Sequence, residues 1–153
     1  AAIVEGPLAT RLGHAMSDWI SLELRNFVRQ RARGRCEYCQ LHEDDAGLRH
    51  QPDHIVALKH RGATIESNLA FSCAMCNSFK GTDLSSIDPA TGTLVRLINP
   101  RIDDWSAHFE VVGGRTIGRT PEGRVTVELL QMNRPDLVQL RRLLSAVGRS
   151  SQS

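Results

Sequence analysis

Apolar side chains recur with helical spacing close to the start of the chain. From Ile20 they fall at i, i+4, i+7 and i+8, which predicts a helix over residues 19–33. Ser17 or Asp18 would cap the first turn of this helix, because short polar side chains satisfy free backbone N–H groups there. Gly34 would end it.

Between residues 49 and 81 the pattern changes to short extended runs. A strand is predicted from Arg49 to Leu58, with the apolar run "IVAL" as its buried part, and a second, shorter strand is predicted in "NLAFSC". The loop "KHRGATIESN" separates them, so they fit an antiparallel hairpin with a long connection. "AMCNSFKG" has helical spacing and stops at Gly81. The predicted order is strand, strand, helix.

The C-terminal third predicts a mixture of strands and helices. "DPATGTLVRLINP" indicates a turn and a strand, and "HFEVVGGRTIGRT" indicates extended chain around a Gly-Gly turn. A helix is predicted from Thr120-Pro121 to about Met132, and a last helix from Pro135 to Gly148. The fold class is therefore α+β. We divide the chain into a disordered or vector-derived leader at 1–16, a central domain at 17–100, and an extension at 101–153 that packs on the same core.

Composition is that of a globular domain. The 153 residues are 41% hydrophobic and 24% charged, and no apolar run approaches the ~20 residues of a membrane span. Nothing at the N-terminus is typical of a secretory signal, so we expect a cytoplasmic protein that does not enter a membrane. The net charge is only +2, but five arginines without an acid among them crowd into one short segment. They are either a solvated helix face or a nucleic-acid contact, and they are Arg25, Arg29, Arg31, Arg33 and Arg35.

The four cysteines form two C-x-x-C pairs. Cys36 and Cys39 make the first pair, and Cys73 and Cys76 make the second. A tetrahedral zinc ion is the favoured interpretation, and a disulfide or redox pair is the alternative. Four sulfur ligands leave no open position, so the zinc would be structural and would stabilise a hairpin too small to fold alone.

Oxygen and nitrogen ligands occupy the segment between and after these pairs. Asp53 and Asn77 offer hard oxygens that suit Mg²⁺ or Mn²⁺. His54 follows Asp53 directly, and neighbours on extended chain point to opposite sides, which suits a metal ligand on one side and a proton acceptor on the other. Asn68 could hold the His54 segment by hydrogen bonds. Each residue alone is more typical of a surface pair, a turn or an exposed helix position than of a catalytic site.

In this order, and bracketed by the cysteine pairs, residues 36–81 resemble the HNH endonucleases, which are built on a ββα-metal module. The resemblance implies that His54 is the general base, that Asp53 and Asn77 hold the catalytic cation, and that Asn68 orients the His54 segment. It also implies that the cysteines form a zinc-stapled variant and that Lys80 lies near phosphate. Asp53 and Asn77 replace histidines of the family pattern, and Ala57 and Arg61 replace its frequent Pro and Gly.

The resemblance predicts a metal-dependent endonuclease that nicks or cuts DNA, preferably double-stranded, and leaves 5′-phosphate and 3′-hydroxyl ends. Its cofactors would be structural Zn²⁺ and catalytic Mg²⁺ or Mn²⁺. Phosphate contacts from the arginine cluster would make binding sensitive to salt. Two alternatives stay open: a zinc-stabilised nucleic-acid-binding module without cleavage, and an accessory subunit whose C-terminal half recruits a partner. The sequence leaves monomer and homodimer undecided.

Overall fold

A computed structural model describes residues 19–149 of the chain, so the predicted leader lies outside the described residues. Helix α1 spans Leu22–Arg31, and its N-cap is Ser21, whose Oγ accepts a hydrogen bond from Leu24 N at 3.1 Å. Ser21 thus takes the capping position, and the predicted caps Ser17 and Asp18 lie outside the described residues. Gly34 ends the helical segment as predicted, with a φ of 73° and its N–H bonded to the Arg29 carbonyl.

The predicted hairpin and short helix are confirmed. Strand β1 (Gln51–His54) pairs antiparallel with β2 (Leu69–Ser72), and helix α2 (Ala74–Lys80) follows. The first strand is shorter than predicted, because the chain leaves the sheet after His54. The apolar run after it forms the loop, in which Ile55 is buried and a 3₁₀ turn forms at Leu58–His60.

Between residues 81 and 149, two further hairpins and three α-helices follow. Strand β3 (Ser85–Ile87) pairs with β4 (Leu94–Arg96), and β5 (Phe109–Val112) pairs with β6 (Arg115–Gly118). Helix α3 is the short segment Trp105–His108, α4 spans Pro121–Leu129, and α5 spans Pro135–Ala146. The sequence predicted β4, the β5–β6 turn, α4 and α5. It did not predict β3 or α3, which are too short to produce a periodic pattern.

One hydrophobic core joins the cysteine-rich module to the C-terminal third. Tyr38 and the four cysteines pack in the same buried cluster as Phe109, Leu130 and Met132. A smaller cluster packs α1 against β2, through Val28, Leu69 and their neighbours. The α+β class with a small ββα unit is thereby confirmed. Within residues 19–149, no helix combines the length and the apolar character needed to cross a bilayer.

A buried ion pair fastens the hairpin β3–β4 to α4. Asp88 is 0% exposed, and its two oxygens accept from Arg124 Nε at 3.0 Å and Nη2 at 2.8 Å. The Ala90 N–H and the Thr91 hydroxyl donate to the same carboxylate. These bonds favour the ionised form and lower the pKa of Asp88, the hydrogen bond from Arg124 being the largest cause.

Candidate active site and zinc centre

The four cysteines converge on one point. All four are buried and unpaired, and their sulfur atoms lie within 4.8 Å of one another. Cys39 Sγ and Cys73 Sγ are 3.8 Å apart, close to the edge of about 3.8 Å that four Zn–S bonds of tetrahedral geometry require. Mutual hydrogen bonds, first from Cys36, lower the pKa of the Cys73 thiol. The donor set fits a structural zinc ion.

The two residues between Cys36 and Cys39 connect this turn to both strands of the hairpin. Glu37 accepts from the Phe71 N–H of β2 at 2.8 Å and is ion-paired with Arg101. Tyr38 is fully buried, and its hydroxyl donates to Asp53 Oδ2 of β1 at 3.0 Å. Neither residue was predicted from the sequence. Their position inside a C-x-x-C turn was the available signal, because a turn that holds a metal is rigid enough to hold its neighbours.

Asp53 lies in a buried polar network. It is 6% exposed, and the Oδ2 atom that Tyr38 contacts also lies 3.0 Å from Lys80 Nζ. Burial raises the pKa of Asp53, while the charge and hydrogen bond of Lys80 and the hydrogen bond of Tyr38 act in the opposite direction. Burial, and next the charge of Asp53, raise the pKa of Tyr38, so the phenol stays protonated and donates.

Lys80 does not reach outward from the end of α2. It is 2% exposed, and besides Asp53 its ammonium donates to the backbone carbonyl of His54 at 3.0 Å. A lysine held in this way presents its charge to β1 rather than to solvent. The structure therefore assigns Lys80 a place beneath the hairpin, which differs from the phosphate contact that the sequence suggested.

His54 occupies the opposite side of β1 from Asp53, as alternation along the strand requires. Its ring is half-buried, and Nε2 lies 2.8 Å from the hydroxyl of Thr64. Thr64 comes from the loop between the strands and is itself buried. This contact was not predicted from the sequence, because no spacing rule connects a loop threonine to a strand histidine ten residues earlier.

An open cleft brings the predicted catalytic residues together. Asp53, His54 and Asn77 line the same depression of about 310 Å³, with the loop segment 57–59 and residues 81–82 as its other walls. Asn77 is half-buried on α2, one turn after the N-cap Cys73. Residues that carry a carboxylate, an imidazole and an amide thus border one cleft, and such groups can hold a divalent cation and accept a proton beside it.

Asn68 closes the loop that carries Thr64. Its Oδ1 accepts from Val56 N, and its Nδ2 donates to the carbonyls of Val56 and Ala63, each at 2.9 Å. Gly62 sits against this arrangement so tightly that a Cβ there would overlap the Val56 carbonyl oxygen. These bonds also explain why the chain leaves the sheet after His54.

The predicted arginine cluster is mostly engaged within the protein. Arg25 bonds to the Ile20 carbonyl and Gln51, Arg29 is paired with Glu43 at 2.5 Å, and Arg31 donates to the carbonyls of Glu66 and Leu69. Arg35 donates to the Gln40 carbonyl, while Arg33 is exposed. None of the five lines the cleft of Asp53 and His54.

Comparison with known proteins agrees with this geometry. Residues 36–83 match the family model described as HNH endonuclease. The chain is 25% identical over 135 residues to the Septu protein PtuB of Bacillus thuringiensis, a match that covers 87% of this chain and 50% of that protein. It is 26% identical over 146 residues to the Septu protein PtuA of Bacillus mycoides (strain KBAB4), covering 77% of this chain and 20% of that protein.

The chain thus spans half or less of the length of these curated relatives, and no solved structure gives a significant match. The PtuB match is longer than the family match, so the likeness extends beyond the cysteine-rich module. Residues 36–83, with their ββα unit and convergent cysteines, are thus similar to the HNH endonuclease domain.

Proposed function

We propose that this protein is a divalent-metal-dependent endonuclease that hydrolyses phosphodiester bonds of DNA. The observation that carries the proposal is the single cleft shared by Asp53, His54 and Asn77, at the surface of a module stapled by four cysteines. A pure binding module needs the staple but has no need for a carboxylate, an imidazole and an amide on one concave surface. Double-stranded DNA, and the choice between nicking and cutting, belong to the proposal.

Each residue at the cleft would have a separate role in the reaction. Asp53 and Asn77 would hold Mg²⁺ or Mn²⁺, which stabilises negative charge on the phosphate and the leaving oxygen when bound. Tyr38 and Lys80 both contact Asp53 Oδ2, which leaves Oδ1 as the oxygen offered to the cation. His54 would take the proton from the attacking water. Thr64 lies 2.8 Å from Nε2 of His54 and would keep the ring in the orientation needed for this step. Asn68 would keep the loop and Thr64 in place.

Plasmid relaxation tests the proposal. Supercoiled DNA is incubated with the protein and Mg²⁺ or Mn²⁺, or without a divalent cation, and His54→Ala is compared with wild type. We expect a loss of about 10²–10⁴-fold in rate, the usual contribution of a general base. The matched control is His60→Ala, because His60 is exposed and does not line the cleft. Equal rates for His54→Ala and wild type would remove His54 from the mechanism.

The two alternatives give different results. A binding module without cleavage would bind DNA in both proteins and relax it in neither, whatever the cation. An accessory subunit would be inactive as an isolated chain and active with a partner. Because of the likeness to PtuB and PtuA, we retain the accessory subunit as an alternative function.

The metal assignments have their own measurements. Elemental analysis should find about one zinc per chain, and substantially less would contradict the four-cysteine site. Asn77→Ala should require more Mg²⁺ or Mn²⁺ for activity while its thermal unfolding stays unchanged. Unfolding of that variant would instead make Asn77 a structural residue. A cytoplasmic location stays a prediction.

A further inference from the structure

A second cleft lies between the cysteine-rich turn and the last helix. It has a volume of about 280 Å³ and is bounded by residues 35–45, the β5–β6 turn and one side of α5. Four arginines line it against a single acidic residue, and they are Arg35, Arg141, Arg142 and Arg149. It shares no lining residue with the cleft of His54. We propose that this basic cleft binds a phosphate group.

Arg141 is the buried floor of the basic cleft. It is 8% exposed, and its Nη1 donates to the carbonyls of Gly114 at 3.1 Å and Met132 at 2.7 Å. Its Nη2 is buried without a hydrogen-bond partner among residues 19–149. Leaving a buried charged donor unsatisfied is costly, and a phosphate oxygen is the acceptor that a guanidinium matches best.

Within the described part of the chain, the charges of the neighbouring Arg35 and Arg142 are not neutralised by acidic partners. Arg142 Nε donates to the Gly113 carbonyl at 2.8 Å, and Arg35 Nη1 donates to the Gln40 carbonyl at 3.1 Å. A carbonyl orients a guanidinium without cancelling its charge, so both residues are positioned and still cationic. Only Arg149 has an acidic partner, Asp45 at 2.9 Å. The cleft therefore combines fixed donors with an excess of positive charge.

The zinc centre accounts for part of this charge. Zinc held by four thiolates carries a net charge of about −2, and Cys39 lines the basic cleft beside Arg141. The nearby cysteines favour the charged form of Arg141, against the desolvation that lowers its pKa. Arg141 thus has a second role as counter-charge. Phosphate binding can therefore be tested separately from this charge compensation by replacing Arg35 and Arg142.

Two classes of ligand carry a phosphate group that the basic cleft would bind. One is the backbone of a nucleic acid, held at a distance from the site of cleavage, and this source rests on the proposed function. The other is a free nucleotide, which does not depend on that function. Binding is therefore measured without a divalent cation, so that cleavage plays no part in it.

Fluorescence anisotropy with a labelled 12-base-pair DNA duplex, and calorimetry with ADP, provide the two arms. Arg142→Gln and Arg35→Gln are each compared with Arg119→Gln, which removes one exposed arginine that does not line the basic cleft. We expect each cleft variant to weaken duplex binding by about fivefold and to reduce the slope of log K against log salt by about 1. The control should change it by less than twofold.

The outcomes are distinct. Weakened ADP binding with unchanged duplex binding would keep the site and assign it to free nucleotides. Cleft variants that behave like the control toward both probes would overturn the proposal. If His54→Ala cuts plasmid as well as wild type while Arg142→Gln weakens duplex binding, the basic cleft stands and the assigned catalytic base falls.

Discussion

The Tyr38 hydroxyl lies 3.0 Å from Asp53 Oδ2, and Tyr38 stands between two cysteines of the zinc centre. The turn whose cysteines would hold the structural ion is thereby bonded directly to the carboxylate proposed for the catalytic one. On the other flank of the same turn, Glu37 holds the facing strand through Phe71 N. The cysteine-containing turn thus fixes the positions of both strands of the hairpin.

Replacing Tyr38 by Phe should lower the free energy of unfolding by about 1.5–3 kcal/mol, because it removes a buried hydrogen bond to a charged group. It should also raise the pKa of Asp53 further, since the Tyr38 hydrogen bond lowers it. Urea denaturation measures the first effect and an NMR titration of the Asp53 carboxyl the second. Ser78→Ala, which removes an exposed hydroxyl on α2, is the control. An unchanged Asp53 titration in Tyr38→Phe would contradict the contact.

Lys80→Met should lower the free energy of unfolding by about 3–5 kcal/mol, because a buried carboxylate loses its cation. The double variant Lys80→Met/Asp53→Asn should recover part of that loss, since the remaining charge is removed as well. Urea denaturation of wild type, both single variants and the double variant forms a complete cycle. Strictly additive single effects would show that the two side chains do not interact.

Gly62→Ala should lower the free energy of unfolding by about 1–3 kcal/mol, because the added methyl group overlaps the Val56 carbonyl and crowds Asn68 Nδ2. Gly47→Ala is the matched control, since a Cβ at residue 47 meets nothing within 4 Å. Thermal unfolding compares the two. If Gly62→Ala is stable but slower in plasmid relaxation, the loop yields and moves Thr64. Equal melting temperatures and equal rates for the two variants would show that the close approach has no consequence.

Stability should fall with acid in a manner that depends on Asp88. Hydrogen bonding to Arg124 lowers its folded-state pKa below the unfolded value of about 3.9. The ionised group therefore stabilises the folded protein above that value, and the stabilisation is lost as pH falls through the lower, folded-state pKa. Between about pH 5 and pH 2, the urea midpoint of wild type should fall more steeply than that of Asp88→Asn. Asp83→Asn, at an exposed position, should follow wild type.

The local sequence pattern was sufficient to predict the elements whose ends are marked by cysteine, glycine or proline. The cysteine pairs, Gly34 and Gly81 delimited the hairpin and its helix, and Thr120-Pro121 marked the start of α4. Contacts distant in sequence were beyond its reach. The end of β1 at His54 depends on bonds from Asn68, twelve residues beyond Val56. Lys80 resembles a surface lysine in sequence, and only its pairing with Asp53 allows it to be buried.

The family match and the folding unit of this protein differ in extent. Tyr38 and the cysteines share one core with Phe109, Leu130 and Met132. The family match ends at residue 83, whereas these packing partners come from beyond residue 100. A fragment cut at the family boundary would expose the inner side of the zinc turn and would lose Trp105, whose indole N–H donates to the Tyr38 carbonyl. The segment that matches the family model is therefore smaller than the segment that must fold to support it.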